Sequence, residues 1–191
     1  MRILMLGNSY TFYHDMPDML AELTGAEVVA HTRGGAHLAE QLNPETKMGA
    51  STLESLEHER WDFVIMQEMS NAPVTSKDSF MKSVSCLCEK IHSAGAVPIL
   101  YATWAYKEDG EKMDSMDITY EQMYQGMYSA YHEAAKSNQA LIADVGKKFY
   151  ELSKNQNLYE EDGSHPNEDG SRIGAKLLSE QILTASGKQN K

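Results

Sequence analysis

The chain has 191 residues, 41% hydrophobic and 24% charged, which suits one globular domain and excludes a disordered or fibrous chain. Its formal net charge of −11 opposes binding to nucleic acid or to an anionic membrane surface, so neither is an expected partner. The longest mostly apolar run, 94–105, is too short to span a bilayer and contains Pro98.

The first apolar run, 3–6, is too short for a signal core and has no small-residue cleavage site after it, so a cytoplasmic location is expected unless a leader precedes this sequence. That run reads instead as a strand. Four more short apolar runs follow, at 28–32, 63–66, 97–102 and 141–145. Most are near-continuous rather than alternating, as in strands covered on both faces. Helical patterns fill the gaps. Met16, Met19, Leu20 and Leu23 share one face. Ser51 and Glu54 have the spacing of a capping box. Phe80, Val84, Leu87 and Ile91 follow helical spacing; Cys86 and Cys88, on the same stretch, read as reduced packing residues, since two thiols cannot complete a zinc site. The polar stretch 107–117 reads as a surface loop. Thr119 and Gln122 form a second capping box, followed by a core stripe from Tyr120 to Tyr131. Asn167 caps a last helix with Ile173, Leu177, Leu178 and Ile182 on its buried side. The alternation predicts an α/β fold, a five-stranded parallel sheet in flavodoxin-like order with helices on both faces. It occupies 1–185 as a single domain, with a frayed tail at 186–191.

Ligands of open parallel sheets bind beyond the carboxyl ends of the strands. Ser9 lies there, in a Gly-Asn-Ser turn after the first strand. A serine hydroxyl becomes a nucleophile only when a base takes its proton, and histidine is the natural base near neutral pH. Of seven histidines, His165 has the telling setting: Asp162 precedes it by three residues, so one turn can aim the carboxylate at the imidazole. Ser9, Asp162 and His165 are therefore the candidate catalytic residues. Tyr10, Phe12, Tyr13, His14, His37, Trp104 and Tyr106 lie at the same edge of the sheet. Of these, Tyr10, His37 and Trp104 are the candidate substrate contacts. His31, His58, His92 and His132 have no partner pattern. No histidine pair has the spacing of a helical metal site, so no metal or other cofactor is expected.

With these residues in view, the sequence resembles the SGNH, or GDSL-type, hydrolases over nearly its whole length. Gly7-Asn8-Ser9-Tyr10 stands where the family has Gly-Asp-Ser-Leu, with Asn8 and Tyr10 as departures. Asp162-Gly163-Ser164-His165 matches the final Asp-x-x-His block. Gly35 fits the glycine of the second block. Met69-Ser70-Asn71-Ala72 keeps only the asparagine of the third. The resemblance implies a three-layer αβα sandwich and metal-free cleavage of acyl esters. It implies an oxyanion hole made by the Ser9 N–H, the Gly35 N–H and the Asn71 amide. Gln67, directly after the third strand, is a rival donor or a substrate contact. The Gln67-Glu68-x-Ser70-Asn71 stretch also resembles a segment of sialic-acid acetylesterases. The expected partner is a small ester, such as an O-acetylated carbohydrate. Two alternatives remain open at this point: a non-catalytic flavodoxin-like module gripping a phosphate at Gly7–Thr11, and an inactive relative that has lost its oxyanion hole.

Overall fold

The structure is a computed structural model that describes residues 1–187. The strands β1 (Arg2–Gly7), β2 (Glu27–Thr32), β3 (Phe63–Met66), β4 (Val97–Tyr101) and β5 (Leu141–Ala143) form one parallel sheet. Their order, β2-β1-β3-β4-β5, is the doubly wound arrangement expected. Helices or helical turns follow in chain order: α1 (Ser9–Phe12), α2 (Met16–Thr24), α3 (Leu38–Gln41), α4 (Lys47–His58), α5 (Ala72–Thr75), α6 (Lys77–Ser93), α7 (Glu111–Asp114), α8 (Tyr120–Ser137), α9 (Val145–Leu152) and α10 (Glu168–Ala185).

The two-residue period of a strand divides the core between the faces of the sheet. Leu4, Leu6, Val64, Met66 and Leu100 point to one side, where Phe80, Val84, Leu87 and Ile91 of α6 meet Met123, Met127 and Tyr131 of α8. Ile3, Met5, Phe63, Ile65 and Ile99 point to the other, against Leu20 of α2, Phe149 of α9, and Leu178 and Ile182 of α10. The central strands are thus buried on both faces, which is why their sequences do not alternate. The edge strand β2 is partly exposed along its length.

Several expectations shift by local chemistry. The first long helix after β2 starts at Lys47, four residues before Ser51, because the Thr46 hydroxyl caps it by accepting from the Gly49 N–H at 3.0 Å. Leu23 is half-exposed rather than buried. The 107–117 stretch contains the short helix α7. The run 141–145 yields a three-residue strand, since Val145 already begins α9, a helix that the sequence pattern did not announce. The caps at Thr119 and Asn167 form as expected. Of the expected tail 186–191, residues 188–191 lie outside the described residues. No described helix is long and apolar enough to cross a membrane.

Candidate active site

The turn after β1 is fixed by its small residues. A Cβ on Gly7 would sit 2.3 Å from Thr11 Oγ1 and 2.7 Å from Gln67 Oε1, so only glycine lets the chain pass here. Asn8, buried, caps α1: its Oδ1 accepts from the Tyr10 N–H at 3.1 Å. Its Nδ2 donates to the Ala36 carbonyl at 3.0 Å and so ties this turn to the loop after β2. Asn8 does this as the neutral counterpart of the family's aspartate. Ser9 follows as the first residue of α1, where the N–H has no carbonyl one turn back to bond.

The partner turn comes from the far end of the chain. Residues on either side of it pair across an antiparallel bridge, Tyr159 with Pro166, and the Glu160 N–H donates to the His165 carbonyl at 2.9 Å. Inside, Asp162 Oδ1 accepts from the N–H groups of Ser164 and His165, both at 2.9 Å. Asp162 Oδ2 lies 2.6 Å from His165 Nδ1, and His165 Nε2 lies 2.8 Å from Ser9 Oγ. The three side chains whose spacing suggested a serine site therefore form one continuous line of hydrogen bonds. In such a line the imidazole can accept the serine proton at Nε2 while the carboxylate holds Nδ1–H.

A residue not anticipated joins this line. Lys112, on α7, places Nζ 2.8 Å from Asp162 Oδ2 and 5.9 Å from the centre of the Tyr106 ring. Partial burial raises the proton affinity of Asp162. Lys112, the two backbone N–H groups and His165 more than offset it, and hold the carboxyl well below the usual carboxylate range. Its only sequence signal was a lysine in a polar loop.

Aromatic rings back the histidine. Tyr10 and Trp104, candidate substrate contacts in sequence, are 3% and 1% exposed and lie behind the site. Trp104 is sandwiched between Tyr10, 4.9 Å away, and Phe149, 4.0 Å away, and its Nε1–H donates to the Ser164 carbonyl at 3.0 Å. The Tyr10 hydroxyl meets Ser164 Oγ at 2.5 Å. These rings support the Asp162–His165 turn and present no free face to a ligand. Tyr106 is likewise buried, with its hydroxyl 2.9 Å from Ser70 Oγ.

The loops expected to bind an oxyanion are braced differently. Gly35 has φ +69°, in a turn closed by the Ala36 N–H on the Arg33 carbonyl; a Cβ there would touch nothing, so glycine answers a conformational need, not a spatial one. Gln67 is fully buried with both ends of its amide engaged. Its Oε1 accepts from the Asn8 N–H at 2.9 Å and the Thr11 hydroxyl at 3.0 Å, and its Nε2 donates to the Glu68 carbonyl. Glu68, also buried, accepts from the N–H groups of Met69 and Leu38, at 2.7 and 3.3 Å, and faces His37 Nδ1 at 3.2 Å. Burial raises its proton affinity, against the pull of those donors. Glu68 thereby links the loop after β3 to the start of α3, and His37 is drawn into that link. Asn71 Nδ2 lies 3.8 Å from Met116 Sδ, while its Oδ1 is buried without a partner. Among the described residues, no group of three or more His, Cys, Asp or Glu side chains converges as a metal site.

No family model matches the sequence, and no curated protein does. Solved structures do. A protein from Slackia heliotrinireducens assigned to the SGNH hydrolases is 48% identical, with 95% of this chain and 98% of that one covered and a TM-score of 0.93. An acetylxylan esterase from Geobacillus stearothermophilus, solved as a catalytic mutant, is 14% identical over 95% of this chain and 93% of that one, at a TM-score of 0.69. A protein from Desulfitobacterium hafniense assigned to the lipolytic G-D-S-L family is 16% identical over 94% of this chain and 98% of that one, also at 0.69. The two distant structures share the fold. The near one, over almost the full length of both chains, establishes the family: this chain belongs to the SGNH hydrolases.

Proposed function

We propose that this hydrolase is a serine esterase acting on small acyl esters, with O-acetyl groups on carbohydrates as the substrate class. The observation that carries the reading is the line Ser9 Oγ–His165 Nε2 at 2.8 Å and His165 Nδ1–Asp162 Oδ2 at 2.6 Å. Ser9 Oγ attacks the ester carbonyl carbon as His165 Nε2 takes its proton. Asp162 holds the imidazole in the tautomer that leaves Nε2 free to accept, and stabilises the imidazolium that forms. The carbonyl oxygen becomes an oxyanion beside the Ser9 N–H, the Gly35 N–H and the Asn71 amide, each such donor being worth about 10²–10³ in rate. His165 returns the proton to the leaving alcohol. Water, activated by the same nitrogen, then releases the acid from acyl-Ser9.

Two observations support a small acyl group on a sugar. The fold is shared with an acetylxylan esterase. Phe12, the last residue of the helical turn that Ser9 opens, is 38% exposed, and an exposed aromatic ring beside a nucleophile suits contact with a sugar. A series of p-nitrophenyl esters tests the acyl side. Acetate should turn over fastest, with rates falling as the chain lengthens, and acetylated xylan or O-acetyl sialic acid should release acetate. A preference for long acyl chains would remove the acetyl assignment.

The inactive-relative reading rests on Asn71, whose amide nitrogen is turned to Met116 Sδ. It predicts that Ser9 is not acylated by any ester in the series. A phosphate-gripping role at Gly7–Thr11 gives the Asp162–His165 pair no task.

A further inference from the structure

We propose that Tyr13 is a positioning residue for His165: a left-handed turn in the nucleophile's own segment holds the tyrosine ring flat on the imidazole. The proposal rests on the triad reading and adds to it. The two ring centres are 4.3 Å apart with planes inclined by 13°. Tyr10 meets the same imidazole edge-on at 5.4 Å and 73°. The hydrogen bonds at Nδ1 and Nε2 act at the edge of the imidazole and leave its faces to packing; the Tyr13 ring covers one face of a side chain that is still 22% exposed.

The backbone that places Tyr13 is unusual. His14 and Asp15, the next two residues, have φ of +54° and +53°. Neither is glycine, and consecutive side-chain-bearing residues in the left-handed region persist only where their surroundings enforce it. The enforcing contact is an ion-pair partner on the hairpin. His14 Nε2 lies 2.8 Å from Glu160 Oε1, and the Glu160 N–H donates to the His165 carbonyl. The segment after Ser9 thus grips the hairpin carrying His165 at two points, once by the Tyr13 ring on the imidazole and once through Glu160. The strained turn keeps the base and the nucleophile in register although 156 residues separate them.

The test compares Tyr13→Leu, which removes the flat ring, with Tyr13→Phe, which keeps it, and uses Ser9→Ala as the control for enzymic turnover. Two quantities are read: p-nitrophenyl acetate kinetics, and the far-downfield proton resonance of the His165 Nδ1–H, which needs no substrate. Tyr13→Leu should lower kcat about 10- to 100-fold, with KM within about threefold of the parent. Its Nδ1–H resonance should broaden through exchange with water. Tyr13→Phe should restore both within about threefold. Parental kcat and a parental resonance in Tyr13→Leu would overturn the proposal, as would equal losses in both variants, which would assign the effect to the hydroxyl. Turnover that survives in Ser9→Ala would instead overturn the esterase reading. The resonance comparison would then still decide the role of Tyr13.

Discussion

The two halves of the site are built to different standards. The Asp162–His165 turn is largely local: backbone bonds from Glu160 to His165 and from Gly163 to Glu160 close it, and both oxygens of the Asp162 carboxylate are engaged. The opposite half, from Gly35 to the loop after β3, is assembled across the sheet. Gln67 and Asn8 lace the loops together, Glu68 pins α3, and the residue nearest the family's oxyanion donor, Asn71, has a buried oxygen without a partner. The carboxylate and the histidine are thus each held by several partners, whereas the Asn71 amide nitrogen meets only Met116 Sδ.

Removing a member of the fixed half should cost most. Ser9→Ala and His165→Ala should each lower kcat for p-nitrophenyl acetate by about 10⁴–10⁶, and the double variant should lose little more, because triad members act as a unit. Losses that multiply in the double variant would show that the two residues do not share a step.

The adaptable half should respond more mildly and in two ways. Asn71→Ala should reduce kcat by about 10²–10³ with little change in KM. Gln67→Ala should act on stability, since it strands the buried Asn8 N–H and Thr11 hydroxyl at about 1–3 kcal/mol per lost partner. Thermal melts beside kinetics separate the two, and a kcat-selective loss in Gln67→Ala would reverse the assignment.

A smaller effect belongs to Lys112. Asp162 is held ionised well below the usual carboxylate range, so its protonation should take no part in the acid limb of kcat/KM where free carboxylates titrate. Lys112→Met removes the cation that shares Asp162 Oδ2. The carboxyl then holds its proton more tightly, and the loss of activity on its protonation should begin at higher pH. Lys112 is 41% exposed, so the displacement should shrink in high salt. A displacement to lower pH would contradict the sign. Least of all should chelation matter: prolonged EDTA should leave turnover unchanged, and a loss restored by a divalent ion would place a metal in the reaction.

The same contrast decides what the sequence could reveal. Asp162 and His165 were legible because three residues of spacing dictate one turn. Ser9 was legible because a strand ends just before it. The parallel sheet covered on both faces followed from near-continuous apolar runs. Trp104 was misplaced because its surroundings are long-range: a Cβ on Gly146 would sit 2.2 Å from the Thr103 carbonyl, so α9 presses directly on this segment and seals the indole. That helix escaped notice since Val145 extends the apolar run of β5 and Asp144 makes no side-chain capping bond. Lys112 stood out only as a lysine in a polar loop, and Tyr13 only as an aromatic at the carboxyl edge of the sheet. Their roles exist only once α7 and the left-handed turn bring them to the hairpin.

Labelling with a fluorophosphonate, followed by peptide mapping, asks whether this serine is an activated nucleophile without assuming any substrate. The expected result is a single adduct on Ser9, absent from Ser9→Ala and strongly slowed in His165→Ala while both variants remain folded. An adduct on another residue, or labelling of Ser9→Ala at the parental rate, would contradict the assignment of Ser9, His165 and Asp162 as one catalytic unit.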